Sequence, residues 1–170
     1  FNDANMLIDE FMELYDRRPI KNNNYGMSST HLFWTWYVVK KLQPDNIIES
    51  GVWKGQGTWL FRQTLPKVNL YCIDPILENR EYIDEYATYF KEDFSLIDWS
   101  AYLNNGKTLC FFDDHQNAYT RLQQMKWMGL RHAMFEDNYP IKQGDCYSLK
   151  KIFAESGFEG KNIIPPNAAH

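Results

Sequence analysis

Four short apolar runs in this 170-residue chain each finish in acids. They are Ile47-Ile48-Glu49, Leu70-Tyr71-Cys72-Ile73-Asp74, Leu109-Cys110-Phe111-Phe112-Asp113-Asp114-His115 and Ala133-Met134-Phe135-Glu136-Asp137-Asn138. Carboxylates gathered at one point repel one another unless a cation balances them. Oxygen ligands of this kind suit Mg2+, Ca2+ or Mn2+ rather than zinc. Asp113 or Asp114, with Glu136 and Asp137, therefore forms a candidate metal set. His115 follows the paired acids directly and titrates near neutrality, which makes it a candidate general base.

The first run continues as Glu49-Ser50-Gly51-Val52-Trp53-Lys54-Gly55-Gln56-Gly57-Thr58. An apolar strand, a glycine turn and a helix start make a nucleotide site, because glycine admits close backbone approach and free N–H groups favour negative charge. The dinucleotide fingerprint is incomplete, since no third glycine follows Gly57 at the required spacing. The phosphate-loop pattern also fails, since no lysine follows Gly57. What remains is acid-x-Gly-x-x-x-Gly-x-Gly. Asp74 lies at the second strand end, roughly 20 residues on, where an acid can accept from ribose hydroxyls.

The elements that position these groups alternate. Asp3 to Asp16 reads as an amphipathic helix with Leu7, Phe11, Leu14 and Tyr15 on one face. A second helix, about Thr30 to Leu42 and capped by Ser28 or Ser29, is apolar nearly all round and is expected to be buried. Thr58 to Leu65 is a helix stopped by Pro66. Glu78 to Tyr89 reads as a helix, Glu92 to Ser95 as a short third strand, and Asp98 to Leu103 as a short helix. Asn117 starts a helix running to Met128 with Tyr119, Leu122 and Met125 on one face, and Gly129 stops it. A last helix runs from Tyr147 to Ser156, opened by Gly144-Asp145 and closed by Gly157. The tail carries Ile163-Ile164 and two prolines, without a further strand pair. Strands alternating with helices specify a doubly wound, mostly parallel α/β sheet in one domain. Its ligands lie beyond the carboxyl ends of the strands.

The glycine motif resembles the first motif of class I S-adenosylmethionine-dependent methyltransferases, whose fold is Rossmann-like. The Asp-Asp-His followed by Glu-Asp one strand later resembles the metal-dependent macrocin O-methyltransferase and cephalosporin hydroxylase-like group. The resemblance covers roughly Ser28 to Phe153. It implies cofactor contacts at Glu49, Gly51, Val52, Trp53, Gly55, Gly57, Thr58, Asp74 and Asp113, with Asp93 and Phe94 at the adenine. It implies magnesium on Asp113 or Asp114, Glu136 and Asp137, and catalysis by His115 with Asp114. A catechol-type arrangement would add Asn138. Here the histidine follows its acids directly, whereas the macrocin type places it three residues after the ligand aspartate. The fold also ends in an antiparallel strand pair, for which this tail looks too short. The expected activity is O-methylation of a hydroxyl on a sugar or similar polyol. A metal-dependent hydroxylase and a non-catalytic cofactor-binding domain are the alternatives.

Composition narrows the partners. A formal charge of -4 supplies no basic field for nucleic acid. No apolar run is long enough to span a membrane. Three cysteines, without a C-x-x-C pair, argue for a reducing, cytoplasmic setting and free thiols. The chain opens on Phe1 and reads as trimmed or as a piece of a longer protein. A homo-oligomer or further domains are compatible with it. His31 and His132 read as structural. Tyr25, Trp53, Trp59 and Tyr139 are candidate stacking rings for a sugar or adenine, although most tryptophans of such a chain are core.

Overall fold

The computed structural model describes residues 6–155. Among them, five strands form one parallel sheet: β1 Asn46–Ser50, β2 Asn69–Ile73, β3 Thr88–Phe90, β4 Thr108–Phe112 and β5 His132–Phe135, in the order β3-β2-β1-β4-β5. Five α-helices accompany it: α1 Ile8–Asp16, α2 Ser29–Leu42, α3 Gln56–Thr64, α4 Ala118–Trp127 and α5 Leu149–Glu155. No helix among the described residues is long and apolar enough to cross a membrane.

The register aligns the strand ends. Ser50 is opposite both Ile73 and Phe112, and Phe112 is opposite Phe135. The following residues, Gly51, Asp74, Asp113 and Glu136, therefore form one row. Asn46 pins this register at the other end of the sheet. It is fully buried, its Nδ2 donates to Asn104 and Thr108, and its Oδ1 accepts from Asn69. A slip by one residue would break all three bonds and reverse both sheet faces.

Successive strand side chains alternate between two cores. One face carries Ile47, Leu70, Cys72, Leu109 and Phe111 against Trp36, Val39, Leu60 and Phe61. The other carries Ile48, Tyr71, Ile73, Cys110 and Phe112 against Phe94, Trp99 and Met125.

Several elements differ from the sequence reading. The segment expected to be a helix from Glu78 to Tyr89 holds only a 3-10 turn, Leu77–Asn79, and then β3. Buried Asp84 explains the departure: it pairs with Arg62 at 2.6 Å, its Oδ1 accepts from the Tyr86 N–H, and its own N–H donates to the Tyr89 hydroxyl. The expected third strand at Glu92 to Ser95 is a 3-10 turn, Phe94–Leu96, whose cap is Asp93. Asp98 to Leu103 is likewise one 3-10 turn, Trp99–Ala101, capped by Asp98. Helix α2 buries only Leu32, Thr35, Trp36 and Val39. Its other aromatics are half-buried and stack on one another, Phe33 on Tyr37 and Trp34 against Tyr37. Helix α4 buries Ala118, Arg121 and Met125, while Leu122 is exposed. The expectations for Gly157, Ile163-Ile164, the prolines and the closing strand pair lie outside the described residues.

Candidate functional site

The β1–β2 half of the row is built around the glycine loop. Gly51 has φ +95°, and a Cβ there would meet the Asp113 carbonyl oxygen at 1.9 Å, so no other residue lets β1 and β4 end side by side. At Gly57 a Cβ would meet the Glu49 carboxyl at 2.2 Å. The Glu49 carboxyl is thus closed in beneath the start of α3. It accepts from Thr58 Oγ1 at 2.5 Å and from the Cys72 thiol at 3.3 Å. Burial drives its pKa up to about 8, beyond what those two bonds recover. Asp74 ties the loop from the next strand. Its Oδ2 accepts from the Val52 and Trp53 N–H groups, both at 2.9 Å, and its Oδ1 from Ile76 N–H at 2.8 Å. A carboxylate has about four acceptor positions, so about one remains for a ligand.

The β4–β5 half is different. Asp113 has no hydrogen-bond donor among the described residues and sits among Glu136, Asp137, Glu49 and Asp114. Burial first, and then those charges, push its pKa up to about 9. Asp114 projects to the opposite face. It accepts from Ser50 Oγ at 2.7 Å and from Arg121 Nε at 3.0 Å. Arg121, only 4% exposed, also grips Asp93 through two bonds of 3.0 and 2.6 Å. Those bonds hold the Asp93 carboxyl well below the usual carboxylate range. His115 takes a left-handed conformation, φ 54°. Its N–H donates to Asp137 at 3.1 Å, and its Nδ1 lies 2.9 Å from Asp145. Burial lowers the His115 pKa, but Asp145 and Asp137 more than offset that, and the imidazole titrates above its ordinary range.

The cluster that can hold a cation is therefore Asp113, His115 and Asp137, whose candidate ligand atoms all lie within 4.8 Å of one another. Two members of the expected set are otherwise engaged. Asp114 is neutralised by Arg121, and Glu136 pairs with Nδ1 of His31. His31, expected to be structural, is exposed at the start of α2 and bridges to β5. Two carboxylates and an imidazole fit a divalent cation by donor type, and the raised Asp113 carboxyl is the group such a charge would relieve.

A cleft of about 340 Å³ opens over this row. Of the expected cofactor residues, Gly51, Asp74, Asp93 and Asp113 line it, together with Asp114 and His115. Glu49, Val52, Trp53, Gly55, Gly57 and Thr58 do not; Glu49 and Thr58 are bonded to each other in the interior, and exposed Trp53 donates its Nε1–H to the Asn24 carbonyl. Phe94 is fully buried between Trp99 and Phe112 and is core. Trp59 is core as well, while Tyr25 is almost fully exposed. A second cleft of about 360 Å³ lies on the β5 side, lined by His31, Trp34, Glu136, Asn138, Tyr139 and Lys150 among others. Asn138 is committed in part, since its Oδ1 accepts from the Lys150 N–H at 3.0 Å.

Sequence reasoning missed Arg121, Ser50 and the His115 partner Asp145. Arg121 had a signal: it occupies the middle of an Ala118, Arg121, Met125 spacing that otherwise marks a buried helix face. Asp145 had none, because its contact with His115 joins residues 30 positions apart.

No protein-family model matches the chain, and no curated protein matches it in sequence. Solved structures do. SAH-bound methyltransferase PaMTH1 of Podospora anserina superposes with a TM-score of 0.56 at 11% identity, covering 79% of this chain and 62% of PaMTH1. CmcI with Mg and SAM superposes at 0.54 and 19% identity, covering 72% of this chain and 59% of CmcI. A candidate O-methyltransferase of Klebsiella pneumoniae superposes at 0.56 and 14% identity, covering 89% and 78%. The chain thus has the Rossmann-like class I methyltransferase fold and spans about six-tenths of the first two proteins.

Proposed function

We propose that this chain is a methyltransferase core that moves the methyl group of S-adenosylmethionine to a hydroxyl, assisted by a divalent cation, with Mg2+ the first choice. The carrying observation is the row of strand-end groups facing one cleft at the β1–β4 switch point, where the strand order reverses. Gly51 lets the cofactor approach the backbone. Asp74 accepts one ribose hydroxyl at its remaining acceptor position. Asp93, held ionised by Arg121, closes the adenine end of the cleft, with its acceptor positions taken up by Arg121 and Ser95.

Asp113 and Asp137 are the residues that would hold a cation in the reacting complex, which leaves the His115 ring for the proton. When bound, a cation lowers the pKa of a hydroxyl on it. Proton removal falls to Nε2 of His115, with Asp145 fixing the ring through Nδ1. The deprotonated oxygen attacks the methyl carbon as the carbon–sulfur bond opens, leaving a thioether. Most of the acceleration is positioning. A sugar or small polyol, free or within a glycan, is the proposed acceptor. The second cleft supports this, since aromatic Trp34 and Tyr139 line it together with polar His31, Glu136 and Lys150.

Calorimetric titration with S-adenosylhomocysteine, with and without Mg2+, tests the reading. Binding that is lost in Asp74→Ala supports it and justifies a screen of sugar acceptors. Absence of binding in both conditions would leave a methyltransferase fold without the cofactor. Full methyl transfer in excess chelator would remove the cation from the proposal.

A further inference from the structure

Gln56 is the first residue of α3 and is only 2% exposed, yet neither Oε1 nor Nε2 of its amide has a hydrogen-bond partner. Leaving such a group unpaired in the interior is costly, because its lost hydration is not replaced. It lines a cavity of about 230 Å³ between the α1–α2 connection and the start of α3. Asn23 lines the same cavity, and its buried Oδ1 is also unpartnered. Arg18 and Lys21 supply two cations, and no carboxylate lines the cavity among the described residues. Neither cation is paired with an acid there. Arg18 donates to the Tyr15 carbonyl and lies over the Tyr15 ring, and Lys21 donates to the Asp16 carbonyl. The amino ends of two helices meet here as well, since Ser28 and Ser29 open α2 and Gln56 opens α3. Helix starts carry spare N–H donors and partial positive charge.

We infer that this cavity is a binding site for a phosphate group, separate from the cofactor cleft. The two share no lining residue. The cations, the helix starts and the Gln56 amide N–H donate to the phosphate oxygens. The orphaned Gln56 and Asn23 carbonyl oxygens need a donor in return. A phosphate that keeps a proton supplies one, while sulfate at neutral pH has none. Phosphate monoesters hold such a proton in part near pH 6. The site rests on these side chains and helix starts and stands whether or not the chain transfers methyl groups.

Thermal-shift and calorimetric titrations at pH 6 and low salt test the site with three probes: inorganic phosphate, a hexose phosphate and sulfate. Phosphate is expected to bind about tenfold more tightly than sulfate, the ratio that one satisfied buried acceptor gives. Gln56→Leu is expected to erase that preference. The surface double variant Arg18→Gln/Lys21→Gln, which leaves the core untouched, is expected to weaken both anions. Tighter binding of the hexose phosphate than of inorganic phosphate would identify an ester as the occupant; the reverse would identify the free ion. Equal binding of phosphate and sulfate, unchanged in Gln56→Leu, would reduce the site to two surface cations with ordered water at the amides. Displacement of phosphate by S-adenosylhomocysteine would assign the cavity to the cofactor cleft. Either result overturns the inference.

Discussion

The two halves of the strand-end row use the same residue type for opposite purposes. On β1 and β2 the acids are consumed internally: Glu49 is sealed beneath α3, and Asp74 spends three acceptor positions on backbone N–H groups. On β4 and β5, Asp113 receives no donor among the described residues and stands among like charges. Asp74 is thus a loop-building device in one half, and Asp113 is a reactive group in the other. The number of donors around each separates the two cases.

Perturbing either half should expose that difference. The largest effect is expected from Arg121→Ala, which strands Asp114 and Asp93 beside the cleft. Breaking a buried pair of this kind costs about 3–5 kcal/mol, to be read as a lower urea midpoint. A loss below about 1 kcal/mol would mean that solvent already screens the network. Next comes Asp74→Ala. Three N–H groups lose a charged acceptor, and S-adenosylhomocysteine affinity should fall about 100-fold, or roughly 2.7 kcal/mol. Calorimetry that found a change within threefold would separate the loop from the ligand.

The pH dependence of stability sharpens the comparison further. The folded pKa of Glu49 is raised to about 8, so the folded chain keeps a proton that the unfolded chain has released. The Glu49 contribution to stability should therefore fall as pH rises from about 4.5 to 8 and level off above that, while Asp113 adds a fall of the same sign that continues to about 9. Glu49→Gln should flatten that component, as measured by thermal melts across the range. An unchanged slope would place the titrating group elsewhere. The smallest effect is expected from Asp145→Asn. Removing that partner lowers the His115 pKa toward its ordinary range, visible by NMR titration of the metal-free protein. Asp145 is mostly exposed, so global stability should barely move.

Much of this arrangement was legible in the sequence because it is local. The β-branched run at Ile47-Ile48, the three glycines and the strand-end acids specify strand, turn and helix within one short span. The Ser28 and Asn117 caps were readable for the same reason, since each bonds N–H groups two or three residues ahead. The stretch from Glu78 to Tyr89 was misread because its conformation answers to Arg62 on α3, a residue no local pattern can announce.

The sequence by itself determined the alternation of strands and helices, and hence that Glu49, Asp74, Asp113-Asp114 and Glu136-Asp137 share one edge. Only the tertiary structure decided which of them remain available. Neighbouring residues beyond a strand end project to opposite faces of the sheet. Asp113 therefore joins Glu49 on one face, while Asp114 meets Ser50 and Arg121 on the other. Their identities as aspartates are the same in the sequence, but a buried arginine seven residues away in helix α4 neutralises one and leaves the other without a balancing charge.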